Sequence, residues 1–153
     1  MVKKWANVEK IIFVGKQHIP WNEVEEYLKK YAGETIVVEQ YQDNIYIAYD
    51  FPEEYSESKD TKKLRGGLAK AKANAAQVID QLIKNATKRR WRENLDPKHD
   101  KDAPGGWYRY DAFFTIPVRG QDEDKERRNY YRGTVLVRIN PKGLYLYDVV
   151  DIK

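Results

Sequence analysis

The sequence predicts an α+β fold: a small N-terminal β-α-β-β unit over residues 1–58, then a long basic helix and a C-terminal antiparallel sheet over 59–153. Three observations carry this. Leu64, Leu68, Ala71, Ala75, Val78, Ile79, Leu82, Ile83 and Ala86 recur at helical spacing. Beyond residue 106, three runs rich in aromatic and β-branched residues alternate between faces and are separated by turn signals. Before residue 50, Ile36 and Val38, then Ile45 and Ile47, flank the turn residues "YQDN", a hairpin pattern.

In chain order, "VEKIIFVGKQHI" (8–19) reads as one or two short strands around Gly15. "PWNEVEEYLKKYAG" reads as a helix that begins at Pro20, with Asn22 as cap and Gly33 as stop. Val24, Tyr27, Leu28 and Tyr31 form its apolar stripe. The hairpin follows, and "PEEYSESKDTKK" is a polar connector. The long helix is expected over roughly 60–93, with Gly66 and Gly67 able to delay its start. Its alanines favour helix by propensity. It ends in "KRRWREN", where Lys88, Arg89, Arg90 and Arg92 would suit the negative end of the helix dipole. The sheet strands are expected at 106–118, 130–139 and 144–152, with "NPKG" turning between the last two and "QDEDKERRN" a charged loop between the first two.

Composition bounds the function. The chain of 153 residues is 41% hydrophobic, 13% aromatic and 34% charged, enough for a core and a solvated surface. It has no cysteine, which removes disulfides, thiolate metal sites and thiol nucleophiles. No apolar run approaches the roughly 18 residues of a membrane span, and the N-terminus lacks a signal-peptide apolar region, so a cytoplasmic protein without membrane association is expected. The net charge of +4 is uneven: residues 59–93 hold 11 Lys/Arg against 3 Asp/Glu, whereas residues 1–58 hold 6 against 11. A concentrated basic block attracts phosphate. It also arises as the solvated face of a helix.

Phosphate-cradling glycine loops, HExxH helices and GxSxG elbows are missing, and two histidines, His18 and His99, cannot build a histidine-rich metal site. No cofactor or metal is expected. What remains suits metal-free phosphodiester chemistry, which needs a base for the ribose 2′-hydroxyl, an acid for the leaving 5′-oxygen and cations for the transition-state charge. Histidine can titrate near neutrality, arginine grips phosphate oxygens in a fork, and tyrosine can stack on an unpaired base. After residue 95 the chain offers His99, Arg109, Arg119, Arg132, Arg138, Tyr108, Tyr110, Tyr145, Tyr147, Thr115 and Thr134. Strand alternation puts Trp107, Arg109, Asp111, Phe113 and Thr115 on one face of 106–118, and Arg132, Thr134, Leu136 and Arg138 on one face of 130–139. Were these faces to coincide, arginines and threonines would converge on a concave surface with the loop of His99 at its edge. Arginines on an exposed sheet face are also ordinary.

The "KH" pair, the "GWYRYD" strand, the "PV" strand end, the "VLVRI" strand and the terminal "LYLYDVVDI" together resemble domains of phage and mobile-element polyvalent proteins. These are related to the barnase/EndoU/colicin/RelE-like superfamily of metal-independent ribonucleases. The resemblance covers roughly 60–152. It implies a helix leading into a catalytic antiparallel sheet, and by matching position it implies a site of Lys98, His99, Arg109 and Arg138. No glutamate base of the barnase kind is identifiable, since no Glu lies in the strands after residue 93.

The expected function is therefore a ribonuclease-like domain, a toxin or phage effector. His99 would act as acid or base, and Arg109 and Arg138 as phosphate clamps. Lys98, Tyr108, Tyr110, Thr115, Arg132 and Thr134 would contact substrate. Open beside it stands a non-catalytic module that docks on RNA through the basic block, or on a host or phage protein through the acidic N-terminal unit. A structural domain of a mobile-element protein is the third reading.

Overall fold

The computed structural model describes residues 3–15, 18–118 and 127–153. Its strands are β1 (Trp5–Asn7), β2 (Thr35–Val38), β3 (Asp43–Tyr46), β4 (Thr87–Arg92), β5 (Trp107–Pro117), β6 (Arg128–Asn140) and β7 (Gly143–Val150). Its helices are α1 (Trp21–Leu28), α2 (Phe51–Glu57), α3 (Lys59–Lys63), α4 (Gly66–Ala75) and α5 (Ile79–Lys84). The α+β class is as the sequence predicts.

One mixed sheet runs in the order β1-β5-β6-β7-β3-β2, and β4 pairs with the same edge of β5 as β1 does. The expected meander is β5-β6-β7, antiparallel throughout, with Trp107 opposite Arg138 and Arg109 opposite Leu136. The expected hairpin is β2-β3, and β3 adds to β7 in parallel. Residues 1–58 and 59–153 thus share one sheet, and they share one core, in which Val24, Ile36 and Ile45 join Tyr110, Val135 and Leu146. The boundary at 58 follows charge, not packing.

The sheet curls. Strands β5 and β3 lie three strand spacings apart, ~14 Å in a flat sheet. Yet the Tyr110 hydroxyl of β5 donates to Asp43 of β3 at 2.7 Å. Arg89 of β4 forks onto that same carboxylate at 2.9 Å and sits over the rings of Tyr41 and Tyr108. Only a sheet bent toward the Tyr110 face brings these groups together. Tyr110, Ala112, Phe114 and Ile116 are buried on that face, where the helices pack; α5 lies against β2 and β5, and α2 against β7. Arg109 and its neighbours turn outward, so the expected concave arginine surface is not what the sheet provides.

Five further expectations are corrected. The 60–93 helix is broken in two places. Leu64 and Arg65 are extended and Gly66 sits at φ +58°, which ends α3, and a 3-10 turn (Ala76–Val78) separates α4 from α5. Residues 87–92 are a strand, not a helix end: Asn85 stops α5, and β4 then satisfies the open backbone edge of β5 at 107–111. The helix-dipole explanation for Lys88, Arg89, Arg90 and Arg92 therefore falls. The polar connector folds into α2, with Pro52 in its first turn, and α3, capped by Ser58, whose Oγ accepts from the Thr61 amide at 3.1 Å. The N-terminal strand is β1; beyond it, residues 11–15 are irregular and Asn74 of α4 ties them down. Its Oδ1 accepts from the amides of Ile12 and Phe13, and its Nδ2 donates to the Phe13 carbonyl. Asn22 does not cap α1, which begins after Pro20 without a side-chain cap.

Candidate functional site

The outward face of β5-β6-β7 is partly roofed by the loop 93–106. A 3-10 turn (Pro97–His99) forms in it because Pro97 pre-sets the backbone and the Asp96 carboxylate accepts from the Lys98 amide at 3.0 Å. Asn94 braces it by donating to the Asp96 carbonyl and to the Asp100 carboxylate. The far end pairs with β6: the Gly105 amide donates to the Ile139 carbonyl at 2.9 Å, and the Ile139 amide to Gly106 at 3.0 Å. The Trp91 indole also donates to the Gly105 carbonyl. Gly106 has φ +91°, and a Cβ there would lie 2.4 Å from the Arg92 carbonyl oxygen. Gly106→Ala is expected to destabilise the chain by about 2–3 kcal/mol through strain and clash, read by urea denaturation. An unchanged midpoint would show that the loop is not held there.

Within this frame the structure brings together His99, Asp102, Trp107, Tyr147 and Arg138. His99 Nδ1 lies 3.1 Å from Asp102 Oδ2. A neutral imidazole that donates to this carboxylate carries its proton on Nδ1 and its lone pair on Nε2. Nε2 lies 3.5 Å from the Tyr147 hydroxyl. The rings of Trp107 and Tyr147 stand edge-on to the imidazole, with centroids 5.1 and 5.2 Å away. Burial pushes the Tyr147 hydroxyl above the ordinary phenol range, and its hydrogen bond to Glu54 adds to this. Trp107 is fixed in turn by a 3.3 Å bond from its indole to Asn94.

Arg138 is nearly buried. Its guanidinium lies 3.4 Å from Asp102 and 3.7 Å from Asp50, over the ring of Tyr145. Its charge is thus answered by two carboxylates, and through Asp102 it acts on His99. Arg109 is more available, with one 3.7 Å contact to the exposed Asp151. A cleft of about 280 Å³ opens here, and its lining includes His99, Arg109, Arg92, Glu93, Trp107 and Tyr147. Among the described residues, no serine, threonine or cysteine lines it. Nor do any three described histidine, aspartate, glutamate or cysteine side chains gather as a metal ion would require.

The structure divides the remaining expected contacts. Lys98 is exposed on the turn beside His99. Tyr110 is fully buried and Tyr108 packs against the core with Arg89 over its ring, so neither can stack on a base in this cleft. Thr115 is buried at the far end of β5, donating to Asn7 and accepting from Arg128. Arg132 and Thr134 share the outward face but lie farther along β6, opposite Phe113 and Asp111. Arg119 and most of the charged loop 121–128 lie outside the described residues. Sequence reasoning missed Asp102, Glu93, Arg92 and Trp107, and also Asp50 and Glu54, which bring the acidic N-terminal part to the site. The spacing of His99 and Asp102, three apart in a turn-rich stretch, was the available signal.

No helix among the described residues is long and apolar enough to cross a membrane. No family model, curated protein or solved structure matches the chain.

Proposed function

We propose that the chain is a metal-independent ribonuclease-like domain of phage or mobile-element type that acts on RNA phosphodiesters at the His99 cleft. One observation carries the reading: an imidazole oriented by Asp102 shares a cleft with Arg109 and Arg92, and no described serine, threonine or cysteine lines that cleft. Such a site favours a substrate that brings its own nucleophile, and RNA does so at every 2′-hydroxyl. His99 Nε2 takes the 2′-hydroxyl proton, O2′ bonds to phosphorus, and the P–O5′ bond breaks. Glu93 and Asp96 also line the cleft; water returns a proton to the 5′-oxygen, and the proton taken by Nε2 leaves to solvent. Arg109 and Arg92 face the phosphate charge. The resemblance to the barnase/EndoU/colicin/RelE-like superfamily points the same way.

The test uses a single-stranded RNA in EDTA, beside the same RNA with one 2′-deoxy residue at the cleaved position. The expected result is cleavage of the first, leaving a 2′,3′-cyclic phosphate, and a block at the second. No cleavage of several RNAs, or unimpeded cleavage beside the deoxy residue, would sink the reading.

A second reading, an RNA-binding module without catalysis, has its own observation. Arg138 and Arg109 both face carboxylates, which leaves less positive charge for a transition state. RNA binding that weakens steeply with salt, without any cleavage, is its expected signature.

A further inference from the structure

We propose that the opposite end of the same outward face is a stacking platform for single-stranded RNA, continuous with the His99 cleft. The proposal rests on the RNA reading of that cleft for the chemistry of its ligand. Its own support is a second hollow of about 320 Å³, formed where β1, β4, β5 and β6 meet. Phe113 is its floor. The Trp5 ring stands 5.3 Å from Phe113 and 5.1 Å from Tyr130, and Tyr130 is 63% exposed. A large aromatic left that open at a sheet surface offers a π-face to a partner.

Cations surround these rings. The Lys3 ammonium lies 4.9 Å above the Phe113 ring. Arg132 is opposite Phe113 on β6, and Lys153 pairs by backbone with Arg132. Lys88 lines the hollow from β4. None of these four forms an ion pair among the described residues. The one acidic side chain among the described lining residues, Asp111, is already held by Arg90 at 3.1 Å.

The backbone at Lys88 is the independent sign. It sits at φ +52°, in the irregular register between Thr87 and Arg90. A left-handed conformation costs an L-residue with a Cβ about 1–2 kcal/mol. Bulges in strands re-aim side chains and collect near functional sites. The Lys88 carbonyl accepts from Arg90 at 2.6 Å and the next residue, Arg89, reaches Asp43, while the Lys88 ammonium stands at the hollow with no bond among the described residues.

The exposed Tyr130 ring, backed by Trp5 and set among such cations, fits a strand whose bases are free to stack and whose phosphates need neutralising. A duplex, with its bases hidden, would use the cations alone. Phe113 and Arg109 are four residues apart on the same face of β5, so ~13 Å separates platform from cleft. A strand held at one reaches the other.

The experiment measures fluorescence anisotropy of a 2′-O-methyl oligouridine 12-mer, which cannot be cleaved through its 2′-oxygen. A deoxy 12-mer and a 2′-O-methyl duplex are measured beside it. Tyr130→Ala is expected to weaken binding of the single strand roughly 5- to 150-fold, the loss of one stacked base. Lys88→Gly is expected to weaken it too and to lower the salt slope by about one, while melting at the same temperature or higher because its backbone strain is relieved. That pairing separates a binding role from a folding one. Wild-type affinity in both variants, or no binding by the wild-type chain, overturns the platform even if RNA is cleaved. The losses in binding without any cleavage keep the platform and overturn the catalytic cleft. Equal affinity for the deoxy 12-mer or the duplex overturns the assignment to single-stranded RNA.

Discussion

His99→Ala is expected to lower the rate of RNA cleavage about 10²- to 10⁴-fold, the usual contribution of a positioned acid–base group. The size follows from how the imidazole is held. Asp102 holds its Nδ1 edge, the rings of Trp107 and Tyr147 stand edge-on to its plane, and Nε2 lies 3.5 Å from the Tyr147 hydroxyl at the cleft lining, so the imidazole is held without a search for geometry. Removing the ring removes the base but leaves Arg109 and Arg92 to bind, so kcat falls while KM moves little. Asp102→Asn gives a second arm. An amide in place of the carboxylate can donate to Nδ1, which stabilises the wrong tautomer, and it also costs Arg138 one of its two partners. Asp102 is a positioning residue: its loss should act on kcat and on the pH profile, and Asp102→Glu should restore part of the rate. Equal rates in wild type and His99→Ala would end the catalytic assignment. A loss in Asp102→Asn confined to KM would remove the orienting role.

The residues of the site show which physical signals a linear sequence carries. Period-two alternation is local, so β5, β6 and β7 and the shared face of Arg109 and Arg138 are legible in the chain itself. The hairpin β2-β3 is legible for the same reason. The helix is overread because apolar periodicity persists across the breaks at Leu64–Gly66 and Ala76–Val78. The first break lies at the left-handed Gly66 and the second is a 3-10 turn at Ala76–Val78, neither of which interrupts the apolar spacing. The strand β4 is invisible to periodicity, since five of its six residues are exposed and its cause is the open edge of β5. The curl is equally hidden. It depends on Tyr110 and Arg89 meeting Asp43, residues 67 and 46 positions apart. This is why Tyr108 and Tyr110, plausible stacking residues by type, turn out to serve the interior. In the site, His99 stands out by rarity, whereas Asp50 and Glu54 are acidic residues among many until the fold delivers them to Arg138 and Tyr147.

The largest stability effect is expected at Lys72, where Lys72→Met should cost about 3–5 kcal/mol at pH 7.5, the usual result of removing one partner of a buried ion pair. The Lys72 ammonium is wholly buried on α4, 2.8 Å from Asp148 of β7 and 3.0 Å from Asp60 of α3. Three elements thus meet at one charge cluster. Asp148 is almost fully buried. Loss of water raises its pKa from 3.8 to about 6, against the opposing pull of Lys72 and of hydrogen bonds from Ser58 and the Val149 amide. An acid whose pKa is higher folded than unfolded binds more protons in the folded state between those two values. Its contribution therefore falls as pH rises from about 4 to about 6 and is constant above, by about 3 kcal/mol in all. Methionine at 72 removes the counter-charge that moderates this rise, so the charged form of Asp148 becomes costlier still. The gap between Lys72→Met and wild type should then be widest at pH 7.5 and shrink at pH 4.5, where Asp148 is protonated in both chains. Comparing the two chains at each pH cancels the carboxylates that do not touch Lys72, which leaves Asp148 and Asp60. Adding Asp148→Asn to Lys72→Met should recover much of the loss, because the amide needs no counter-ion. Chemical denaturation at both pH values measures this, and a gap of equal size at pH 4.5 and 7.5 would show that Asp148 does not carry the effect. The cluster also bears on the site. Leu136 pairs with Asp148 and Val137 with Leu146, so Tyr147 is the extra residue of a bulge. On either side of this bulge Asp148 is held by Lys72 and Tyr147 lies against His99.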